Sequence, residues 1–284
     1  MTELHRVYAW TDDGGLSPAP PAQASTQDPA QDPVPSSAPQ VFDSWLVLDG
    51  AAVALARHEQ RFAHGVRALF PDARPAALHG FLAEVRDALP HTGSWWPRIE
   101  AHRRDTQNSA GTPQLVLRIR PAPEQNGDVV LWSGGSGLAA PKHPRHKGPD
   151  QPLYSQLREL AADRGATDAV LIDGDGHVLE TDHSALVWWR GDTLCLPARR
   201  LPRLPSVTQE QLVALAEQAG IPVRQESVRP AELDGLEIWA LNAARGVRPV
   251  SRWIGDAAPS VAPPSAAAHQ WHQRWRASGA HLPD

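Results

Sequence analysis

The chain has 284 residues, a length that suggests two modest domains rather than one. Its net charge of −5 gives no electrostatic case for binding nucleic acid or an anionic membrane surface. The single cysteine, Cys195, excludes an intrachain disulfide, and no apolar run approaches the length of a membrane span. Because the amino terminus also lacks an apolar signal core, we expect a cytoplasmic protein.

The first forty residues combine a short strand with a segment of biased composition. Arg6 to Thr11 predicts a strand. Residues 12–40 are rich in Ala, Pro, Ser, Gln and Asp, and such a composition cannot bury enough surface to offset its ordering entropy. This segment therefore predicts a flexible insert.

Helices and strands alternate after the insert. Phe42 to Leu48 predicts a strand, Asp49-Gly50 a turn, and His58 to Phe70 a helix with an apolar face. Residues 73–89 predict a second helix. Further strands are predicted from Trp95 onward, over Leu115–Arg120 and over Val129–Trp132.

Several arginines accompany these strands, namely Arg98, Arg103, Arg104, Arg118 and Arg120. They favour either an anionic substrate site or a solvated face. Ser133 to Pro141 is rich in Gly, Ser and Ala and predicts an interdomain linker. It contains neither Gly-x-Gly-x-x-Gly nor Gly-Lys-[Ser/Thr], which argues against a phosphate-binding loop there.

The stretch from Pro141 to Trp189 has the most informative order of elements. Lys147 lies just before a predicted helix, Asp150 to Arg164. A buried strand, Ala169 to Asp173, and a glycine turn follow, and then a returning strand, His177 to Glu180. An acid thus ends a strand 33 residues after a lysine.

The remaining sequence continues the same alternation. A helix is predicted from Thr208 to Ala219, with Ser206 as its cap and Gln209 completing a capping box. Strands are predicted over Leu194–Leu196, Leu236–Leu241 and Val247–Trp253, with a Trp-rich helix near Gln270–Arg276.

This order resembles the class IV aminotransferase family, the fold-type IV enzymes that use pyridoxal phosphate. The resemblance runs from Phe42 to Trp253, and it is carried by Lys147, Gly165, AVLIDGDG and HVLE, with His58-Glu59-Gln60-Arg61-Phe62 matching His-x-x-Arg-[Leu/Phe]. It implies a two-domain α/β to α+β fold, with a small N-terminal α/β domain and a larger C-terminal domain of barrel-like sheet and helices. The expected segments are an N-terminal strand over 1–11, the insert over 12–40, a small domain over 41–132, a linker over 133–141 and a large cofactor-binding domain over 142–284.

The resemblance also implies a role for each matching residue. Lys147 would form the Schiff base with pyridoxal 5′-phosphate, whereas Lys142, 38 residues before Glu180, does not fit the family spacing. Glu180 would pair with the pyridine nitrogen, and Arg61 would bind the phosphate with its fork of donors. Ser206-Val207-Thr208 would bind the phosphate at a helix N-terminus. No metal is implied.

Four positions depart from the family pattern. The family has Gly-[Ile/Val]-Thr-Arg where this chain has Ser206 and Gln209 at the outer positions, although backbone amide donation survives such replacements. Pro152 stands where many members have a tyrosine five residues after the lysine. Ala185 stands where aminotransferases have an asparagine five residues after the glutamate.

Asn242-Ala243 indicates a branch of the family. The pair resembles the aminodeoxychorismate lyases, whereas aminotransferases of the class usually have Gly-Thr. The resemblance implies conversion of 4-amino-4-deoxychorismate to 4-aminobenzoate and pyruvate, in folate biosynthesis, with Arg245 or Arg98 holding substrate carboxylates. Asn is also common at strand ends, so the pair has a structural interpretation as well.

Two other functions stay open. One is a class IV aminotransferase of branched-chain or D-amino acids, which would use the same lysine and glutamate. The other is a non-catalytic binding protein on the same fold, for which the replaced Ser206 and Gln209 leave room. The family implies a small amino substrate and a homodimer, and the 11 tryptophans suit such an interface.

Overall fold

A computed structural model describes residues 5–19, 39–103, 111–124, 127–134, 141–256 and 258–282. The chain divides into two compact units. The first unit comprises Met1–Pro123, His146–Pro149 and Ala280–Asp284, and the second comprises Glu124–Arg145 and Asp150–Gly279.

Strands and helices of the described residues are numbered in chain order. The strands are β1 Arg6–Thr11, β2 Gly15–Pro18, β3 Val41–Ser44, β4 Val47–Leu48, β5 Ala51–Ala52, β6 Ser94–Trp95, β7 Arg98–Arg103, β8 Pro113–Ile119, β9 Val129–Ser133, β10 Asp168–Ile172, β11 Val178–Thr181, β12 Ala185–Arg190, β13 Thr193–Pro197, β14 Val223–Glu226, β15 Ile238–Asn242, β16 Gly246–Gly255 and β17 Ala280–His281. The helices are α1 Leu55–Leu69, α2 Pro75–Ala88, α3 Gln151–Ala162, α4 Val207–Gln218 and α5 Ala266–Ala277.

The first unit contains two sheets and the helices α1 and α2. One antiparallel sheet has the order β2-β1-β8-β7-β3, and a smaller one has the order β17-β5-β4-β6. Phe62 from α1, Phe81 from α2 and Leu117 from β8 meet in one buried core. The apolar face predicted for the first helix is therefore the face that packs.

The strand predicted from Phe42 to Leu48 is two strands in different sheets. Val41–Ser44 pairs with β7 in the larger sheet, whereas Val47–Leu48 pairs with β5 and β6 in the smaller one. Trp45 and Leu46 join them and are both buried, so the alternation of a single half-exposed strand is absent. The predicted Asp49-Gly50 turn is confirmed, with φ of 45° and 73°, the positive values of a tight hairpin.

The segment predicted as a flexible insert begins with ordered structure. Gly15–Pro18 pairs antiparallel with β1 as a hairpin, and the Leu16 amide donates to Glu84 Oε2 at 2.7 Å. Prediction of an unstructured segment from residue 12 was therefore wrong for these residues. Residues 20–38 lie outside the described part of the chain.

The second unit is built on one mixed sheet of eight strands, in the order β11-β10-β9-β16-β15-β12-β13-β14. Strand β9 is parallel to both β10 and β16, and β13 is parallel to β14. Helix α3 packs on β10, α4 on β12 and β15, and α5 on β16. Trp188, Leu186 and Ile238 are among the fully buried side chains of the sheet.

The units divide between Pro123 and Glu124, so β9 lies in the second unit and not in the predicted small domain. The predicted linker over 133–141 stays a prediction, and its residues 135–140 lie outside the described residues. Among the described helices, none combines the length and the apolar character that a membrane crossing requires.

Candidate active site

The Lys147 segment is held by backbone contacts within the first unit. The Lys147 carbonyl accepts a hydrogen bond from the Phe42 amide at 2.9 Å. Gly148 has φ of +147°, and a Cβ there would lie 2.4 Å from the Gln40 carbonyl oxygen. Only glycine fits this close approach, so the backbone beside Lys147 has a fixed position. Lys147 is half-buried, whereas Lys142 is exposed.

The Phe42 ring lies against two cationic side chains. Lys147 Nζ is 5.2 Å from the ring centroid, and Arg98 Cζ is 3.9 Å from it. Both distances suit cation–π contact. The ring therefore brings an amine and a guanidinium into the same neighbourhood.

Arg98 belongs to a buried charge network on β7 and β8. Its Nε lies 2.8 Å from Glu100 Oε1, while Arg118 Nε donates to Glu100 Oε2 at 2.9 Å. Burial would raise the pKa of Glu100, but the His102 hydrogen bond and the two guanidinium charges outweigh it and lower that pKa to about 2. In this network two guanidiniums contact one carboxylate, Glu100.

The other arginines of the predicted run are placed differently. Arg120 lies over the Trp96 ring, with Cζ 4.2 Å from its centroid, and Arg103 lies 5.9 Å from the Phe70 centroid. Arg104 is outside the described residues. Of the run, Arg98 is therefore the member that shares an aromatic contact with Lys147.

Arg61 is bound by a carboxylate that the sequence did not single out. Asp43 accepts from Arg61 Nε and from Nη2, each at 2.8 Å, and from the His58 ring at 2.8 Å. Burial opposes ionisation of Asp43, but Arg61 and His58 outweigh it and hold its pKa well below the usual range. Burial lowers the pKa of His58, against the Asp43 charge. A phosphate at Arg61 would share that guanidinium with Asp43.

Glu180 is buried on β11, in the second unit. Its Oε1 accepts a hydrogen bond from the Leu204 amide at 3.1 Å. Burial raises the pKa of Tyr154, and the nearby Glu180 charge raises it further. Burial lowers the pKa of Arg203, and the Glu180 charge opposes that effect. The Glu180 carboxylate thus lies close enough to the Tyr154 phenol and to the Arg203 guanidinium to influence the pKa of each.

The turn after Glu180 is fixed by a second charge network. Asp182 accepts from Arg158 Nε and from the Ala169 amide, each at 2.8 Å, and its Oδ2 lies 2.8 Å from the His183 ring. Asp182 is buried, and these contacts tie the turn to α3 and β10. They hold the end of β11, where Glu180 stands.

The N-terminus of α4 carries the predicted phosphate-binding residues. Ser206 is half-buried, while Val207 and Thr208 are buried. Ser206 Oγ accepts from the Gln209 amide at 3.3 Å, as a cap does. The Gln209 side chain does not complete the predicted capping box, because it donates to the Leu186 carbonyl and accepts from Arg203 instead.

Asn242 ends β15, as an asparagine at a strand end does. Its Nδ2 donates to Ser184 Oγ at 3.1 Å, and its Oδ1 accepts from the Arg245 amide at 2.8 Å. The Arg245 side chain donates to the Glu124 carbonyl at 3.3 Å. The Asn242 amide group is thus engaged in shaping the turn that also contains Ala243.

Residues 40–253 match the model of the amino-transferase class IV family. The chain belongs to that family. The class IV aminotransferases are pyridoxal phosphate-dependent enzymes, and the predicted mixed α/β fold is the fold of the class. The resemblance stated from the motifs is confirmed at the level of the family.

Solved structures of the class have the same fold at low sequence identity. A fold IV transaminase from Curtobacterium pusillum is 18% identical, with a TM-score of 0.76 over 96% of this chain and 97% of that one. A branched-chain aminotransferase from Thermoproteus uzoniensis is 17% identical, with a TM-score of 0.77 over 95% and 93%. A hypothetical aminotransferase from Mycobacterium tuberculosis, in its apo form, is 22% identical, with a TM-score of 0.76 over 96% and 98%. None of the curated proteins matches this sequence.

The residues present suit the cofactor of the class IV aminotransferases. A half-buried amine at Lys147 suits an aldehyde, and a buried carboxylate at Glu180 suits a pyridine nitrogen. The first turn of α4 presents backbone amides, which suit a phosphate. Sequence patterns did not indicate three contacts near the predicted site residues: Asp43 binds Arg61, Gly148 lies against the Gln40 carbonyl, and Arg203 donates to Gln209. Such contacts form only in the folded chain.

Proposed function

We propose that this class IV enzyme is a lyase resembling aminodeoxychorismate lyase, which converts 4-amino-4-deoxychorismate to 4-aminobenzoate and pyruvate. The observation that carries the proposal is the Asn242-Ala243 turn, whose residue types resemble that branch and whose shape is fixed by Ser184 and Arg245. Bound pyridoxal phosphate supplies an electron sink for the bond that breaks at the amine-bearing carbon.

Lys147 is proposed as the group that bonds the cofactor and then moves the proton. The substrate amine would take the place of Lys147 on the cofactor, and the freed Lys147 amine would then take the proton from the amine-bearing ring carbon. The enolpyruvyl oxygen would leave with the electron pair of its C–O bond. The proton that Lys147 has taken is available to the departing enolpyruvate, which becomes pyruvate. The ring becomes aromatic, which makes the elimination favourable. The fixed backbone beside Gly148 supports this role, since proton transfer requires a positioned amine.

Glu180, Arg61 and Ser206-Val207-Thr208 are proposed to bind the cofactor. The Glu180 carboxylate would pair with the ring nitrogen of the cofactor. Its burial and its hydrogen bond from the Leu204 amide support this role. Arg61 and the first turn of α4 are each proposed to bind the phosphate. Asn242 and Ala243 would contribute the backbone of their turn.

Arg98 is the proposed partner of a substrate carboxylate. It lies over the same aromatic ring as Lys147, and with Arg118 it contacts Glu100. A guanidinium offers two parallel donors to a carboxylate. Arg245, the other predicted carboxylate partner, stays a prediction.

The second candidate is a class IV aminotransferase of branched-chain or D-amino acids. Structures of similar fold include the branched-chain aminotransferase of Thermoproteus uzoniensis, which favours this alternative. The same lysine and glutamate would serve it. The difference lies in what leaves the substrate, and so in the product.

The experiment has two stages. The protein is purified with pyridoxal phosphate, and visible absorbance is compared between the parent, Lys147→Ala and Lys142→Ala. We expect the band of covalently bound cofactor in the parent and in Lys142→Ala, and its loss in Lys147→Ala. Activity should fall about 10²- to 10⁴-fold in Lys147→Ala, the usual contribution of a positioned acid–base group.

The second stage separates the two candidate reactions. The parent is incubated with 4-amino-4-deoxychorismate, and 4-aminobenzoate and pyruvate are measured in equal amounts if it is a lyase. Transfer of an amino group from leucine or a D-amino acid to 2-oxoglutarate, without pyruvate release, would replace the lyase proposal with the aminotransferase. The homodimer and the cytoplasmic location remain predictions, of which the first is measured by sedimentation.

A further inference from the structure

Arg203 is a buried cation that the family pattern does not include. Its side chain lies in the segment that joins β13 to α4, and 8% of the residue is exposed. Its Nη2 donates to the Pro197 carbonyl at 3.0 Å, and its Nη1 donates to Gln209 Oε1 at 2.9 Å. Burying a guanidinium costs free energy unless it is paired, so this placement calls for a role.

Gln209 stands where the family carries an arginine. The family arginine is therefore replaced by an amide, and a guanidinium from six residues earlier is bonded to that amide. Gln209 Nε2 in turn donates to the Leu186 carbonyl on β12 at 3.0 Å. The pair Arg203–Gln209 thus connects the β13–α4 segment with the first turn of α4 and with the sheet.

The same segment reaches Glu180. Leu204, the neighbour of Arg203, donates its amide to Glu180 Oε1 at 3.1 Å. Two residues later, Ser206 caps α4. Leu204 and Ser206 therefore lie one and three residues after one anchor, Arg203. Leu204 contacts the Glu180 carboxylate, and Ser206 caps the N-terminus of α4.

We propose that Arg203 is a positioning residue that replaces the arginine of the family at position 209, and that with Gln209 it sets Glu180 and the first turn of α4 in one fixed relation. The cofactor would contact Glu180 through its ring nitrogen and the first turn of α4 through its phosphate. Both contacts would already be in position before the cofactor binds. Preorganisation strengthens binding because the ordering of the segment is completed on folding rather than on binding.

Charges of both signs act on Arg203 within the part of the chain that the structure describes. Glu180 and Glu210 attract Arg203, and Arg145 repels it. Glu180 faces Tyr154 as well as Arg203. Loss of the Arg203 charge therefore leaves Glu180 with one positive neighbour fewer, which makes proton uptake by Glu180 easier.

The test compares four variants with the parent: Arg203→Met, Arg203→Lys, the double variant Arg203→Met/Gln209→Arg, and the control Arg200→Met. Arg200 lies in the same segment but is exposed. Each apo-protein is titrated with pyridoxal phosphate and with pyridoxal, which lacks the phosphate, and the absorbance of bound cofactor is followed against pH. Circular dichroism and melting temperature check that each variant folds.

We expect Arg203→Met to weaken binding of pyridoxal phosphate by about tenfold to a hundredfold, the usual effect of losing a charge-assisted hydrogen bond in a buried site. Pyridoxal affinity falls less, because pyridoxal lacks the phosphate that α4 would bind. The acid limb of the absorbance profile moves to higher pH. Arg203→Lys keeps the positive charge but loses the two-pronged guanidinium. Its affinity for pyridoxal phosphate should therefore lie between those of the parent and Arg203→Met. The double variant recovers affinity, and Arg200→Met matches the parent.

The inference is overturned if a folded Arg203→Met binds both ligands like the parent, or if its loss of affinity is equal for both ligands with no change in the pH profile. It is also overturned if the double variant folds but does not regain affinity. If Arg203→Met fails to fold, Arg203→Lys and the double variant decide by the same criteria. The inference rests on the proposed roles of Glu180 and Lys147. A Lys147→Ala protein that keeps the cofactor band would refute those roles. The affinity regained, or not regained, by the double variant tests the role of Arg203 separately.

Discussion

The buried Asp43 carboxylate contacts both the Arg61 guanidinium and the buried His58 ring of the first unit. Replacement by asparagine removes the negative charge that Arg61 and the His58 ring contact. We expect Asp43→Asn to lower the free energy of unfolding by about 3 kcal/mol, as breaking a buried ion pair does. Urea unfolding at neutral pH measures it, with the exposed Asp13→Asn as the control. Equal midpoints in the two variants would contradict the prediction.

Glu100 makes the stability of the folded protein depend on pH in the acid range. Its pKa in the folded protein, about 2, is below its ordinary value of 4.5. A depressed carboxyl pKa contributes stability that is present above the unfolded value and is lost as pH falls through the folded one. We expect the parent to lose about 3 kcal/mol of stability from this group between pH 4.5 and 2.

Glu100→Gln should therefore be less stable than the parent at neutral pH. Its free energy of unfolding should also change less with pH in the acid range. Denaturant unfolding at several pH values measures both effects. The exposed Glu217→Gln is the matched control and should follow the parent. An acid dependence in Glu100→Gln as steep as in the parent would refute the assignment.

The β3 strand and the Lys147 segment form a structural element that depends on Gly148. A Cβ at this position would meet the Gln40 carbonyl, so Gly148→Ala must displace the segment that carries Lys147. We expect the variant to lose most of its covalently bound cofactor, read from the visible band. Gly165→Ala is the matched control, because Gly165 also has positive φ, +74°, but open space around its Cβ. Gly165→Ala should lower the free energy of unfolding by about 1 kcal/mol and keep the visible band of bound cofactor.

Sequence periodicity predicted the five helices and most strands of the described residues to within a few residues, because those patterns are local, but it did not predict the short strands β2, β5, β14 and β17. The helix predicted over Asp150–Arg164 is α3, and the strand predicted over Val129–Trp132 is β9. The switch of sheets at Trp45-Leu46 was not predicted, since a run of apolar residues reads as one buried strand. Arg203 was missed for a related reason: its partner Gln209 was assigned to a local cap, and a buried side-chain contact competes with that cap only in the folded chain.

At the scale of the whole molecule, cofactor binding and stability are linked. A ligand that binds the folded state alone stabilises it, by about 2.7 kcal/mol at a concentration 100 times its dissociation constant. We expect added pyridoxal phosphate to raise the melting temperature of the parent and of Lys142→Ala, and to raise that of Lys147→Ala much less. Differential scanning fluorimetry over a range of cofactor concentrations measures the shift. An equal rise in all three proteins would show that Lys147 does not bond the cofactor.

The family and the mixed α/β fold could be predicted from motif order, but the path of the chain could not. Residues His146–Pro149 belong to the first unit although both of their neighbours along the chain belong to the second. Ala280–His281 also belongs to the first unit, where it pairs with β5. Such returns depend on contacts between residues far apart in sequence, which hydrophobic periodicity does not encode.

Strand β3 is the outermost strand of the larger sheet in the first unit, and the Phe42 amide on it donates to Lys147. An uncovered outer strand is a template on which another polypeptide can add a strand, and proteins protect such strands by covering them. The segment that carries the lysine covers part of this outer strand through the hydrogen bond between the Phe42 amide and the Lys147 carbonyl. Displacing it should produce aggregates that bind thioflavin T, and Gly148→Ala should aggregate faster than Lys147→Ala, which removes the amine but keeps the covering backbone.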